Sequence, residues 1–300
     1  MTDSDTPLSE PSTTSARQSV TELASHFARG GTDTRGRVVL LDLDGVVWLA
    51  HQPIPGSVEA IADLRAAGRR VLFVTNNSAS TIEEQEAALA AIGVPAEGDV
   101  LTSAVAGALL IEPGERVLVC GGSGVMQAVE RRGGVPVRIS DLLAAPDSAD
   151  QRFDVVMVGL HQDFDYAGMR RAARAVHDGA RLIGTNDDAT YPTPEGPIPG
   201  GGAILAAVTV ASGVMPQIAG KPYEPMAALV RAIVGEAGAI TATMVGDRPE
   251  TDGLFARTLG CRFALVWSGI TPPGQHVQPT PDLAMADLAA VAFHLLAVGR

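Results

Sequence analysis

An unbroken apolar run near the start of the chain limits the folds that are open to it. Residues 37–47 are RVVLLDLDGVV, in which Val38 to Leu41 are all apolar. A run without polar alternation predicts a strand that is buried on both faces, as in a parallel sheet. The strand ends on Asp42, and Asp44 and Gly45 follow it. Because ligands of open α/β sheets bind beyond the carboxyl ends of the strands, we predict a ligand site here.

The two carboxylates of Asp42 and Asp44 are costly to bring together unless positive charge joins them. Mg²⁺ is a hard cation that prefers oxygen ligands, and a phosphate on its far side would fit the same site. Gly45 frees the backbone for a tight turn whose N–H groups point at an anion. An Asx turn that ends the strand is the alternative without chemistry, and this stretch alone leaves both interpretations open.

Helix and strand signals alternate after this first strand. Residues 57–68 predict a helix with a glycine stop, residues 71–74 a second buried strand, and residues 80–93 a helix that begins at a capping box. Residues 101–111, LTSAVAGALLI, predict another helix. This β-α-β-α order predicts a doubly wound, parallel α/β sheet with right-handed crossovers.

A second α/β series begins near Pro113. Three further strands are predicted, in residues 116–120, 153–159 and 181–185, with helices between them. The next stretch is rich in Pro and Gly and leads to a predicted helix over residues 203–211. The remaining predicted elements are a short strand in residues 217–220, a helix in 223–238, strands in 242–246 and 261–269, and a strand and helix or a single helix in 282–297.

A glycine cluster follows the strand at 116–120. Gly121 to Gly124 are GGSG, which suggests a dinucleotide-binding oxidoreductase. The full G-x-G-x-x-G pattern is absent, because Gln127 stands where a third glycine would be. A plain turn between strand and helix is the favoured interpretation.

Polar residues of complementary kinds follow four of the predicted strands. They are Asp42 with Asp44, Thr75 with Asn76, Lys221, and Asp247 with Asp252. Structural roles without chemistry are the alternatives. Thr75 and Asn76 could cap a helix, Lys221 could be a solvated surface lysine, and Asp247 and Asp252 could favour a helix N-terminus. Those alternatives together leave the acidic cluster unpaired. We therefore predict one crevice that holds Mg²⁺ and a phosphoryl group.

Composition excludes several classes of partner. The chain of 300 residues carries a formal net charge of −12, which disfavours nucleic acid and anionic membrane surfaces. No apolar run approaches the ~20 residues that span a bilayer. Two cysteines, Cys120 and Cys261, provide neither a disulfide framework nor a metal-ligand spacing. These features predict a cytoplasmic protein without membrane or nucleic-acid partners.

The first 35 residues differ from the rest of the chain. They are rich in Ser, Thr, Asp and Pro, which predicts a mostly disordered N-terminal tail over residues 1–35. Within it, Ser19 to Ala28 has a capping-box pattern and an apolar face, so a short docking helix is the alternative.

Four stretches carry a family resemblance: DLDGVVW, VTNNSAS, AGKPYEP and VGDRPETDG. They resemble the four signature motifs of the haloacid dehalogenase (HAD) superfamily. The stretch TNDDATYPTPEGPIPGGGA, which precedes GKP, is similar to the NagD / 4-nitrophenylphosphatase-like subfamily. The resemblance covers about residue 36 to residue 290, and its one small departure is Pro249, where relatives often have an aliphatic residue.

The resemblance implies a domain organisation. A Rossmann-like core would consist of residues 36–112 and 213–300, with an α/β cap domain inserted at residues 113–212. The cap would cover the crevice and contact the leaving group. Residues 186–199 are the candidate for the segment in which the cap returns toward the site. Cap-mediated pairing is common in this subfamily, so a homodimer stays open.

The resemblance also implies a role for each motif residue. Asp42 would be the nucleophile that forms an aspartyl-phosphate, and Asp44 the general acid and base with a raised pKa. Mg²⁺ would bind the Asp42 carboxylate, the Asp44 backbone carbonyl and Asp247, with Asp252 nearby. The phosphate-binding residues would be Gly45, Thr75, Asn76, Asn77 and Lys221.

The implied activity is Mg²⁺-dependent hydrolysis of a small phosphorylated metabolite. Glycerol 3-phosphate and phosphoglycolate are favoured over pyridoxal phosphate, because only 4% of the residues are aromatic and able to stack on a ring. A phosphomutase and a catalytically silent protein that binds a phosphorylated ligand are the alternatives. The presence of Asp44 favours a phosphatase over a dehalogenase, which needs no acid at that position.

Overall fold

The computed structural model of the chain describes residues 38–144, 151–193 and 195–298. Both the predicted N-terminal tail at residues 1–35 and its Ser19–Ala28 helix lie outside the described residues. Among the described helices, none is both long enough and apolar enough to cross a membrane.

A parallel sheet surrounds the apolar run that opens the described chain. Its strands are β1 (Val38–Leu41), β4 (Arg70–Thr75), β5 (Val100–Thr102), β13 (Thr243–Gly246), β14 (Arg262–Val266) and β15 (Leu283–Met285). Their spatial order is β15-β14-β13-β1-β4-β5, and all the pairs are parallel. Every residue of β1 is buried, as the lack of polar alternation predicts. The predicted doubly wound α/β fold is confirmed.

Helices on the two faces of this sheet complete its core. They are α1 (Ser57–Ala66), α2 (Ile82–Ala91), α3 (Ser103–Ala108), α8 (Glu224–Ile240), α9 (Leu254–Leu259) and α10 (Leu288–Val298). The predicted capping box begins α2: Thr81 Oγ1 accepts from the Glu84 amide at 3.2 Å, and Glu84 Oε2 accepts from the Thr81 amide at 2.8 Å.

A second parallel sheet is built from the middle of the chain. Its strands are β6 (Arg116–Cys120), β7 (Val135–Arg138), β8 (Val155–Val158), β9 (Arg181–Gly184) and β12 (Gln217–Ile218), in the order β12-β9-β8-β6-β7. The helices α4 (Ser123–Arg131), α5 (Ile139–Ala144), α6 (Tyr166–His177) and α7 (Gly201–Ser212) pack against it. Two short antiparallel hairpins, β2 (Trp48–Leu49) with β3 (Gln52–Pro53) and β10 (Thr190–Tyr191) with β11 (Ile198–Pro199), project from the two sheets.

The glycine cluster at 121–124 is the predicted turn between strand β6 and helix α4. Gly122 is the N-cap of α4, and the Gly124 amide donates to the Ala79 carbonyl at 3.0 Å. A Cβ atom added at Gly122 would lie 2.3 Å from the Ala79 oxygen. These glycines therefore let the second unit approach the chain that follows β4, and the turn interpretation is confirmed.

Two predicted elements differ from the structure. Residues 101–111 do not form one helix, because Val100–Thr102 pair with the end of β4 as strand β5 before α3 begins. The predicted strand near 217–220 exists, but β12 pairs with β9 of the second sheet. The segment that leads to Lys221 therefore arrives from the second sheet, and a pattern in one short strand cannot indicate which sheet it joins.

Candidate active site

The site lies at the carboxyl end of β1, where the chain turns sharply after Asp42. The Asp42 amide continues the sheet by donating to the Val245 carbonyl at 3.0 Å. The Leu43 amide turns back and donates to Asp42 Oδ1 at 2.8 Å. The Asp42 carboxylate is therefore held in place by its own turn and is only partly exposed, on the wall of a pocket.

Gly45 serves this turn in a way that differs from the prediction. Its amide donates to the Trp48 carbonyl at 2.8 Å, so that N–H does not point at an anion. Its φ angle is +83°, and a Cβ atom there would lie 2.5 Å from Asp247 Oδ2. Glycine is needed because the turn has a left-handed conformation and packs directly on an acidic side chain.

Lys221 supplies the positive charge at the centre of the site. Its Nζ lies 2.9 Å from Asp42 Oδ1 and 2.7 Å from Asp252 Oδ1, and the side chain is 2% exposed. Burial lowers the pKa of Lys221, but the attraction of Asp252 and Asp42 outweighs it, and the net direction is upward. Lys221 is the only lysine in the chain.

Three carboxylates form a cluster suited to a cation. Asp42, Asp247 and Asp252 each offer an oxygen, and these oxygens lie within 4.8 Å of one another. Asp247 Oδ2 accepts from the Ile270 amide at 2.7 Å. Asp247 Oδ1 is buried and has no hydrogen-bond partner within the described part of the chain. A buried carboxylate oxygen without a partner fits a hard cation such as Mg²⁺.

Asp252 is engaged more fully than the other two. Its Oδ1 contacts Lys221, and its Oδ2 accepts from the Arg248 amide at 3.1 Å. It follows β13 within a short π-helical turn, Pro249–Gly253, so the Pro249 departure leaves both carboxylates of this motif at the site. The arrangement supports the predicted place of Asp252 beside the cation.

Asp44 has the character of a weak acid. Burial, followed by the charges of Asp42 and Asp247, raises the pKa of Asp44 to about 7, while the Trp48 side chain and Arg248 oppose the shift. Burial is also the main cause that raises the pKa of Asp247, to about 6. A carboxyl group that holds a proton near neutral pH can donate it to a leaving group.

The residues that follow β4 reach the site in different ways. The Thr75 hydroxyl is buried, accepts from the Asn77 amide at 3.1 Å and still has its own proton to donate. Asn77 lines the pocket, but its Oδ1 closes a turn by accepting from the Ala79 amide at 3.0 Å. The side chain of Asn76 is engaged by Lys221 and by Asp188, which does not favour its predicted phosphate contact.

A pocket opens over these residues. Its wall includes predicted residues and others that the sequence analysis missed: Leu160, Asn186, Asp188, Thr190, Tyr191, Pro192, Gly200, Gly201, Arg248 and Thr251. Arg248 and Thr251 lie inside the motif VGDRPETDG, of which the sequence analysis named only the two carboxylates as site residues. Residues 186, 188 and 190–192 of the predicted segment do reach the site, and the contacts that each of them makes depend on the fold.

Comparison with known proteins gives a consistent result. A family model described as haloacid dehalogenase-like hydrolase matches residues 39–134, and one described as HAD-hydrolase-like matches residues 218–291. The chain is 35% identical to a D-glycerol 3-phosphate phosphatase of Mycobacterium tuberculosis over 81% of its length. That match spans 66% of the relative, slightly under two thirds. An acid sugar phosphatase of Staphylococcus saprophyticus is 34% identical, over 78% of this chain and 88% of the relative.

Solved structures show the same likeness. A glycerol phosphate phosphatase of Mycobacterium tuberculosis in complex with magnesium superimposes with a TM-score of 0.73 and 33% identity, over 85% of this chain and 77% of that one. A 4-nitrophenylphosphatase of Thermotoga maritima superimposes with a TM-score of 0.76 and 27% identity, over 86% and 96% of the two chains. The likeness thus extends over both sheets.

Proposed function

The chain belongs to the haloacid dehalogenase-like hydrolases and is a Mg²⁺-dependent phosphatase, and we propose that its substrate is a small phosphorylated polyol, glycerol 3-phosphate first. The composition of the pocket wall carries this proposal. Beyond the carboxylates, the wall consists largely of amides and hydroxyls, and Tyr191 is the one aromatic residue among its described members. Such groups suit the hydroxyls of a polyol and offer little stacking to a pyridine ring.

One other substrate remains as the nearest alternative to be tested. Asp188 and Arg248 place charges of both signs on the wall, so phosphoglycolate, whose leaving group carries a carboxylate, is the nearest rival. The resemblance to a glycerol phosphate phosphatase favours the neutral leaving group.

The second sheet and its helices are proposed to form the cap. Residues 186, 188 and 190–192, which follow β9 of that sheet, make up one side of the pocket wall. The first sheet supplies the carboxylates from β1 and β13. Because the reacting group would lie between the two units, the cap is suited to contact the leaving group and to exclude water.

We propose a reaction in two steps. An Asp42 oxygen attacks phosphorus, the bond from phosphorus to the ester oxygen breaks, and Asp44 gives its proton to the departing alkoxide. Water then attacks the aspartyl-phosphate, Asp44 takes the proton of that water, and phosphate leaves Asp42. Lys221 holds the Asp42 carboxylate and offsets the negative charge at the site.

Asp42, Asp247 and the neighbouring Asp252 are the residues that would hold Mg²⁺. When bound, the ion supplies positive charge for the phosphoryl oxygens. The chain's own contribution is the pre-set position of these carboxylates, since Ile270, Leu43 and Lys221 fix them by hydrogen bonds.

A panel of phosphoesters tests the function. We expect phosphate release from glycerol 3-phosphate with the highest kcat/KM, lower values for phosphoglycolate and pyridoxal phosphate, and loss of release when EDTA removes Mg²⁺. A higher value for phosphoglycolate would overturn the substrate proposal. Isomerised product in place of free phosphate would indicate a mutase, and the absence of release from every ester would contradict the phosphatase itself.

The role of Asp44 is tested by Asp44→Asn. An alkoxide needs a proton in order to leave, whereas 4-nitrophenolate leaves readily without one. We therefore expect the rate of the first step, the transfer of the phosphoryl group to Asp42, to fall by about 10²–10⁴-fold for glycerol 3-phosphate. For 4-nitrophenyl phosphate the same rate should fall by clearly less. Single-turnover rates for both esters provide the measurement. Equal losses for the two would exclude Asp44 as the proton donor.

A further inference from the structure

The side chain of Asn76 makes three hydrogen bonds within the chain. Its Nδ2 donates to Asp188 Oδ2 and to the Lys221 carbonyl, each at 3.0 Å, and its Oδ1 accepts from the Lys221 amide at 2.8 Å. A primary amide has two N–H donors, and both are used here. Asn76 therefore binds both main-chain groups of Lys221, the amide and the carbonyl, as a neighbouring strand would.

The same contacts reach the segment that leaves the second sheet. Asn186 Nδ2 donates to the Asn76 carbonyl at 2.8 Å, and Thr185 Oγ1 donates to Ser78 Oγ at 2.9 Å. Thr185 is fully buried, and Asn186 is 4% exposed. Asp188 adds its carboxylate to this set. Asn76 and Asp188 are partly buried. Hydrogen bonds among groups that are shielded from water are costly to leave unmade, so these contacts support one another.

We propose that Asn76 and Asp188 are positioning residues: together they lock the segment returning from the second sheet onto the end of β4 and thereby set the place of Lys221. This inference rests on the proposed function. Asp188 links to Lys221 through Asn76, because its Oδ2 accepts from the same Nδ2 group that donates to the Lys221 carbonyl. In this role neither side chain needs to touch the substrate.

A substrate-binding role is the competing explanation, because both residues also line the pocket. The two explanations differ in how the loss of activity depends on the leaving group. A residue that binds the leaving group affects glycerol 3-phosphate and 4-nitrophenyl phosphate differently. A residue that positions Lys221 affects both esters equally, since the phosphoryl group is the same in each.

Two substitutions at position 188 test the lock. Asp188→Ala removes the acceptor of the Asn76 amide, and we expect kcat/KM to fall by about tenfold or more for both esters. Asp188→Asn keeps an acceptor oxygen, so at least about a third of the activity should remain. Asp187→Asn is the matched control, because Asp187 is exposed and its carboxylate contacts the Tyr223 hydroxyl outside the pocket wall. The control should behave like wild type.

An exchange of the two side chains provides the second test. Asn76→Asp opposes two carboxylates and should lose activity by at least about tenfold. In the double variant Asn76→Asp/Asp188→Asn, the amide at 188 can donate to the carboxylate at 76, but the hydrogen bond to the Lys221 carbonyl is not restored, so only part of that loss should be recovered. Melting temperatures of all the variants show which of them fold. If the Asn76→Asp protein does not fold, the comparison of Asp188→Ala with Asp188→Asn still tests the lock.

Three results would overturn the lock: an Asp188→Ala enzyme as active as wild type, losses that differ between the two esters, or an exchange that restores full activity without the hydrogen bond to the Lys221 carbonyl. The wild type serves as the reference for the function itself. If it releases no phosphate from either ester, the proposed function fails first. If the wild type is active and the variants give any of these three results, only the positioning role is rejected.

Discussion

Asp42→Asn should reduce phosphate release from glycerol 3-phosphate by about 10⁴-fold or more. An amide oxygen is a poor nucleophile, and the variant also removes a negative charge from the proposed cation cluster. The Asp42 carboxylate lies in the pocket wall and is held by the Leu43 amide and by Lys221, so asparagine can occupy nearly the same space. The loss would therefore report chemistry and not a displaced turn.

Two measurements separate the nucleophile from a mere binding group. Acid-quenched wild type, mixed with substrate and Mg²⁺, should gain the mass of one phosphoryl group on the peptide that contains Asp42, and Asp42→Asn should gain none. Asp63→Asn, the same change on an exposed position of α1, should leave kcat unaltered. Retention of about a tenth of the wild-type rate in Asp42→Asn would exclude a covalent role for Asp42.

Lys221→Met should have the largest effect on stability. The ammonium group is buried between Asp42 and Asp252, and its removal leaves two neighbouring carboxylates without their counter-charge. Breaking a buried ion pair from one side costs about 3–5 kcal/mol, so the free energy of unfolding without Mg²⁺ should fall by about that amount. Activity should fall by about 10²–10³-fold, because a group that stabilises charge at the reacting centre is lost.

Lys221→Arg separates the effect of the positive charge from the effect of the size of the cation. It keeps the charge, but a planar guanidinium is larger than the compact ammonium that fits between two carboxylates 2.7 and 2.9 Å away. We expect it to restore neither stability nor activity fully. Arg262→Lys, at the exposed start of β14, controls for the exchange of one basic type for the other. Urea unfolding without Mg²⁺ and kcat/KM with it provide the two measurements, and a Lys221→Met protein as stable as wild type would contradict the prediction.

The single lysine of the chain supports this expectation. Every other basic side chain, histidines apart, is an arginine, yet the position between Asp42 and Asp252 has the one ammonium group. Arginine binds carboxylates well where its planar fork has room. The two carboxylates 2.9 and 2.7 Å from one ammonium group favour a compact cation, so we expect the size of the cation to matter as well as its charge.

The parts of this protein that sequence alone predicts are those set by local patterns. The apolar run Val38–Leu41 predicted a strand buried on both faces, and every residue of β1 is buried. The capping box at Thr81 is likewise a matter of residues three positions apart. The strand-end motifs indicated an acidic cluster, and the structure brings Asp42, Asp247 and Asp252 together.

The remaining features depend on which distant segments meet, and no local pattern contains that information. The short strand before Lys221 joins the second sheet, because β9 offers it a free edge. Gly45 packs on Asp247, and its amide is taken by Trp48, which no spacing of residues could indicate. The side chain of Asn76 contacts Lys221 and Asp188, and its predicted phosphate contact stays a prediction, because the distance and direction of a hydrogen bond exist only in the folded chain. The residue types at the strand ends thus specify the chemistry, whereas the contacts between segments of the two units specify which atoms perform it.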